Sequence, residues 1–284
     1  MKNVLLYNSL GLVYLLCTLL YLLHVLFKGQ KVGRAATALT WVACAIHFVA
    51  FITRWIESYQ LGIGHLPIRG PYECLVFSGG IMVLFYLVIE KKIKIKTFGA
   101  LILPVVTLMM IYGSFSGKID NKIYPMPEVL QGNYINYHLS SCFIGYGAFA
   151  VSFVASVLFL LISYGVVTSD NVFKKLYMAP DVLDDISYRM IAIGFIMFSI
   201  LIITGMFRSK IIWGSYWQWD PVQTWSLLAW LVYANALHGR YMWKWRGGLT
   251  AIHSIIGFGL SIVSFLIGAG LINISGHFPI TGNS

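Results

Sequence analysis

Charge is scarce in this chain. Of 284 residues only 11% are Asp, Glu, Lys or Arg, and the acidic ones number ten. A soluble domain carries about 25% charged residues, so an ordinary water-facing surface is excluded. Cysteine is thin as well: Cys17, Cys44, Cys74 and Cys142 are scattered over four apolar runs or their ends, with no C-x-x-C pair. The zinc, redox and c-haem attachment spacings are therefore missing, the chain is not itself a c-type cytochrome, and the thiols read as packing residues. Also lacking are an internal repeat and a short apolar stretch with a small-residue cleavage site. The first apolar run, Val4 to Phe27, is instead 24 residues long, enough to cross a bilayer of about 30 Å, and reads as a retained first helix.

What is present is hydrophobic, 58% of the chain. Further runs of spanning length fall at about 35–56, 74–90, 97–115, 139–165, 189–209, 225–243 and 249–272. In lipid the backbone must satisfy its own hydrogen bonds, and long runs without alternation do not suit barrel strands. The expected fold is all-α: one integral membrane domain over 1–284, a polytopic bundle of about eight transmembrane helices. The connection at 166–188 reads as a short interfacial segment, and Pro125 and Pro127 give the 116–138 loop a turn or extended character.

The net charge of +10 is explained by topology, not by nucleic acid. Lys28, Lys31, Arg34, Lys91, Lys92, Lys94, Lys96, Lys174, Lys175, Arg189, Arg240, Lys244 and Arg246 are thirteen of the twenty basic residues, and all lie after the first, third, fifth or seventh run. The positive-inside rule makes those connections cytoplasmic. Both termini and the loops near 57–73, 116–138 and 210–224 are then expected outside.

One outer loop stands apart. "WGSYWQWDP", 213–221, packs three tryptophans, a tyrosine and one carboxylate into nine positions. Interfacial belts favour Trp and Tyr, but a belt does not call for Gly214 and Asp220-Pro221 at fixed places, and the density suggests a platform for a large planar ligand. Asp220 reads as a loop organiser that accepts backbone N–H bonds. Arg208 and Lys210 are the cations near enough to meet an anionic edge of such a ligand.

Of seven histidines, the usual nitrogen ligands of haem iron, His138 starts the fifth run in "YINYHLSSCFIGYGAF" and His277 follows the eighth in "GHFP". By the charge topology both lie on the side of the tryptophan loop. Two imidazoles with an aromatic shelf between them would make a bis-histidine site. His238 is an ionisable residue inside a spanning run, a functional candidate by default. It lies 13 residues beyond Trp225, or about 20 Å along a helix, toward the cytoplasmic side. His47, in mid-run, reads as a packing histidine with a second haem-channel role as its alternative. His24 and His253 read as structural, and His65 as shaping the outer face.

"WGSYWQWDPVQTWSLLAWLVYANALHGR" resembles the WWD motif and following helix of haem-handling cytochrome c assembly proteins, in their CcsA/ResC branch. "HLSSCFIGYGAF", "RWIESYQLGIGHLPIRGPYECLVF" and "GHFP" extend the resemblance over most of the chain. It implies haem b carried across the cytoplasmic (inner) membrane and presented outside between His138 and His277. The loop for that site is Trp213, Gly214, Trp217, Trp219, Asp220 and Pro221, with Trp225 following. It also implies thioether attachment to the CxxCH motif of an apocytochrome c, an inner ligand at His238, a ResB/CcsB-like membrane partner and a thiol-reducing protein: a cytochrome c haem lyase subunit. One departure stands out, since Val222-Gln223 replaces the Lys-Glu that family members often carry after the motif's Asp-Pro.

Two other classes compete. A b-type electron-transfer subunit of a quinone oxidoreductase needs histidine pairs at matched depth on facing helices, whereas these outer histidines lie at run ends. A solute transporter favours broken helices and paired half-repeats, which are not apparent.

Overall fold

The computed structural model describes residues 2–27, 29–64, 66–68, 70–94, 96–115, 119–125, 134–166 and 179–272. Among them the regular structure is entirely helical: α1 (Lys2–Phe27), α2 (Gln30–Gln60), α3 (Pro71–Ile93), a 3-10 turn (Lys96–Phe98), α4 (Gly99–Phe115), α5 (Tyr134–Ser163), α6 (Pro180–Trp213), α7 (Pro221–Met242) and α8 (Gly248–Gly268). Six of the helices are long and apolar enough to cross a membrane, namely α1, α2, α3, α5, α6 and α8. At 17 residues α4 is shorter. Polar residues such as Gln223, Asn235, His238 and Arg240 dilute the 22 residues of α7.

The eight expected runs are all helices, with shifted ends. The largest shift is in α6, which begins at Pro180, so the acidic stretch read as interfacial is its first turns. Charge is accommodated there by pairing: Arg189 meets Asp185 one turn away at 2.8 Å, and Asp184 meets Arg240 of α7 and accepts the Gly247 N–H.

Helices α1–α4 form one packed group and α5–α8 another, joined chiefly where α3 lies on α5. Polar side chains act as ties between helices, as lipid-embedded bundles favour. The Ser152 hydroxyl meets those of Ser187 and Ser254, linking α5, α6 and α8, and Ser226 meets Ser264 at 2.7 Å between α7 and α8. In the first group Glu90 is buried and accepts from Tyr21, Tyr86, Thr37 and Lys96. At the other end of α3, Glu73 pairs with Arg54 at 2.8 Å, and Arg54 reaches the Asn121 carbonyl. These ion pairs fix helix ends and leave the space between α5, α6, α7 and α8 to the site.

Candidate functional site

The loop expected over 210–224 is seven residues long, because α6 runs on through Trp213 and α7 starts at Pro221. Gly214 closes α6 with φ 75°, a left-handed conformation that suits glycine. Asp220 is the N-cap of α7: its carboxylate accepts from the backbone N–H of Val222 (2.7 Å) and Gln223 (3.1 Å), and Pro221 takes the first turn, where its missing N–H costs nothing. Between those ends the loop is stitched by side chains. Ser209 donates to the Ser215 carbonyl, Ser215 to the Trp217 carbonyl, Thr224 to the Trp219 carbonyl, and the Gln218 N–H donates to Gln223 Oε1. A neutral amide at 223 thus serves as a backbone tie.

This framework divides the aromatics. Trp213 and Trp217 line a cleft of about 440 Å³ together with Asp220, Gln223 and Arg208. Trp219, held at φ 55°, is exposed, its ring edge-on to Trp217 with 5.6 Å between centroids. A second cleft of about 680 Å³ continues between α3, α5, α6, α7 and α8, walled by apolar residues such as Leu139, Phe143 and Phe265. The clefts share His138, Leu201, Arg208, Val222 and Ser226, so they meet at an imidazole and a guanidinium.

His138 is held in a defined protonation geometry. Its Nδ1 lies 3.0 Å from both the Leu201 carbonyl and Thr204 Oγ1 on α6. A carbonyl only accepts, so Nδ1 is the donor. The Thr204 hydroxyl donates back to Ile200 O at 2.7 Å, which leaves an oxygen lone pair for the same Nδ1–H. In the neutral ring Nε2 then carries the lone pair, the arrangement found in metal-ligating histidines whose other nitrogen is tied to a carbonyl. Gly205 makes the approach close: a Cβ there would stand 3.3 Å from His138 Cε1. The residues also suit a planar ligand carrying acceptors, because two buried donors, Trp217 Nε1 and Arg208 Nε, have no hydrogen-bond partner among the described residues.

Of the residues singled out from sequence, the structure brings His138, Trp213, Trp217 and Asp220 around one space, while Gly214 and Pro221 set the loop's ends. Trp225 is half-buried on α7. His238 lies toward the other end of α7, exposed, its ring edge-on to Trp243 at 5.2 Å. His277 and His65 lie outside the described residues. The remaining histidines are internally engaged. His253 joins the Leu249 carbonyl and Asn235, and His24 the Gly29 carbonyl. Thr204, Gly205 and Ser226 were not anticipated. Their signal is a polar or small residue inside an apolar run, with Thr204 and Arg208 one turn apart on one face.

A family model described as cytochrome C assembly protein matches residues 68–272. The cytochrome c biogenesis protein CcsA of Trieres chinensis is 30% identical over 92% of this chain and 93% of its own length. That of Mesostigma viride is 31% identical over 77% and 78%, and that of Synechococcus elongatus 30% over 95% and 98%. Among solved structures, a cytochrome c heme lyase CcmF superposes with a TM-score of 0.64 at 16% identity, covering 95% of this chain. The chain spans about half, 49%, of that structure's length, and at this identity the likeness is one of fold.

Proposed function

The chain belongs to the cytochrome c assembly protein family, and within it to the CcsA proteins; from that premise we propose that it carries haem b across the cytoplasmic membrane and presents it outside for attachment to apocytochrome c. It is a multi-pass helical membrane protein of cytochrome c biogenesis. In this reading the whole chain acts as one membrane domain with both termini outside, and haem is its cargo.

Haem enters near His238, with a second ligand from a ResB/CcsB-like partner, and is held outside by His138 and His277. Trp217 and Trp213 offer flat apolar surface to the macrocycle, and Asp220, through its cap, fixes where those indoles stand. Each substrate thiol then adds across one haem vinyl group: sulfur bonds one vinyl carbon and the thiol proton ends on the other. A thiol-reducing protein keeps the cysteines available. The chain needs no nucleophile of its own, since its contribution is orientation.

The observation that carries the reading is His138 at the junction of two clefts, with Nδ1 donating to the Leu201 carbonyl and Nε2 left as the acceptor. The test is the absorption spectrum of the purified chain, with and without its partner. Wild type should show a low-spin bis-histidine haem signature at the outer site, and His138→Ala should lose it. An unchanged spectrum in His138→Ala would remove this histidine from the site.

A further inference from the structure

Two cations border the tryptophan loop, and their surroundings separate them. Lys210 is exposed; its Nζ donates to the Gly214 carbonyl at 2.6 Å and stands 5.6 Å from the centre of the Tyr216 ring. Its charge is engaged in closing the loop. Arg208 lies two residues earlier, about 200° around the helix, and lines both clefts. Its Nε is buried without a partner among the described residues. Asp220, whose Oδ1 accepts the Val222 and Gln223 N–H groups, and Tyr134 are near enough to act on it electrostatically.

A guanidinium with an unmet donor in a largely apolar cleft is costly to bury, and its planar fork matches a carboxylate. The buried Trp217 Nε1 is a second open donor in the cleft it shares with Arg208. The adjoining cleft that Arg208 also lines is largely apolar, with Leu139, Phe143 and Phe265 in its wall. Such a cleft suits a ligand that is apolar over its faces and anionic at one edge. We propose that Arg208 is the carboxylate-recognition residue of this site, taking a propionate of the tetrapyrrole, and that Lys210 is not. The inference rests on the haem reading above and specifies which residue orients the ring's anionic edge.

The test compares haem with its dimethyl ester, which keeps the macrocycle and removes both carboxylates. Each is titrated into the full-length chain in detergent, with quenching of tryptophan fluorescence as the readout. Wild type should prefer the free acid by roughly tenfold or more, the range of a charge-assisted hydrogen bond. Arg208→Gln should weaken haem by that factor and leave the ester unchanged, so the preference falls to about one. Arg208→Lys should keep part of it, and Lys210→Gln all of it. Thermal melts of the variants check that each is folded. Equal weakening of both ligands in Arg208→Gln would make Arg208 a cleft-shaping residue and overturn the proposal, as would a preference that survives in Arg208→Gln or collapses in Lys210→Gln. If wild type binds neither ligand, the haem reading itself fails, and that outcome is distinct from the others.

Discussion

His47 and His138 are both histidines within apolar helices, and each rests against a glycine of a neighbouring helix. They differ in which edge of the ring meets it. At His47 the glycine is Gly80 of α3, where a Cβ would come within 2.9 Å of Nε2 itself. The Tyr14 hydroxyl takes Nδ1 at 3.1 Å, and Tyr7 and Phe48 flank the ring. At His138 the glycine meets Cε1, Nδ1 is fixed by α6, and open volume lies beyond. His47 is 1% exposed, with Nδ1 met by Tyr14 and Nε2 buried without a hydrogen-bond partner among the described residues. At His138 cleft volume adjoins a ring whose Nδ1 is tied, which is what separates it from His47 and what the proposed haem role requires.

The largest effect that tests this contrast is loss of function at one histidine and not at the other. His138→Ala should abolish haem retention and cytochrome c maturation at normal protein level, with partial rescue by added imidazole. His47→Phe should lower the melting temperature through strain in a close-packed core and leave maturation largely intact in the folded fraction. The opposite pattern, measured by haem stain and cytochrome c yield, would move the haem path to α2.

His238 supplies the next effect. It is exposed at the end of α7 remote from the tryptophan loop, about 20 Å beyond Trp225, too far to serve the same iron as His138. His238→Ala should therefore reduce co-purifying haem and cytochrome yield several-fold without damaging the outer site, and imidazole should recover part of both. Full haem content in this variant would show that entry does not depend on it.

The two loop indoles should then separate by burial. Trp217 lines the cleft and Trp219 is exposed. Trp217→Leu keeps apolar bulk but removes flat ring surface, and should weaken haem retention more than Trp219→Leu does. Equal tolerance of both substitutions would return the loop to the role of an interfacial belt.

Much of this arrangement is legible in the sequence, for identifiable reasons. The eight helices announce themselves because lipid demands long apolar runs, and the Asp220-Pro221 cap is a local signal needing no partner. The ends of α6 are not legible by the same rule. Asp181, Asp184, Asp185 and Arg189 look like loop until Arg240 and the Gly247 N–H are seen to meet Asp184. The supports of His138 are hidden for a related reason. Leu201 and Thr204 lie 63 and 66 residues away, and nothing local says which face of α6 turns to α5. A backbone carbonyl, moreover, has no residue type to read. Arg208 was visible as a charge near the loop, but only the geometry separates it from Lys210.

A smaller effect is expected in stability. Asp220→Ala removes the cap of α7 and should cost about 1 kcal/mol, seen as a lower melting temperature, whereas Asp220→Asn keeps an accepting oxygen and most of the stability. A matching loss of haem in the Ala variant alone would tie loop position to binding; equal haem content in both would make the cap purely structural.

The smallest effect, and the sharpest for the contrast between the two histidines, lies at Thr204. Its hydroxyl oxygen accepts from His138 Nδ1–H while its proton goes to Ile200 O. Thr204→Val keeps the shape of the side chain and removes that acceptor, but the Leu201 carbonyl remains at 3.0 Å, so the ring should stay in place with one hydrogen bond fewer. An imidazole that donates less strongly is a weaker electron donor to iron. We expect a shift in the reduction potential of bound haem toward more positive values and a few-fold weaker retention, with maturation reduced but not lost. Thr204→Ser restores the acceptor and should restore the potential. A merely packing role for Thr204 would show the reverse order, with Val, which preserves the volume, behaving as wild type and Ser, which loses a methyl, showing the defect.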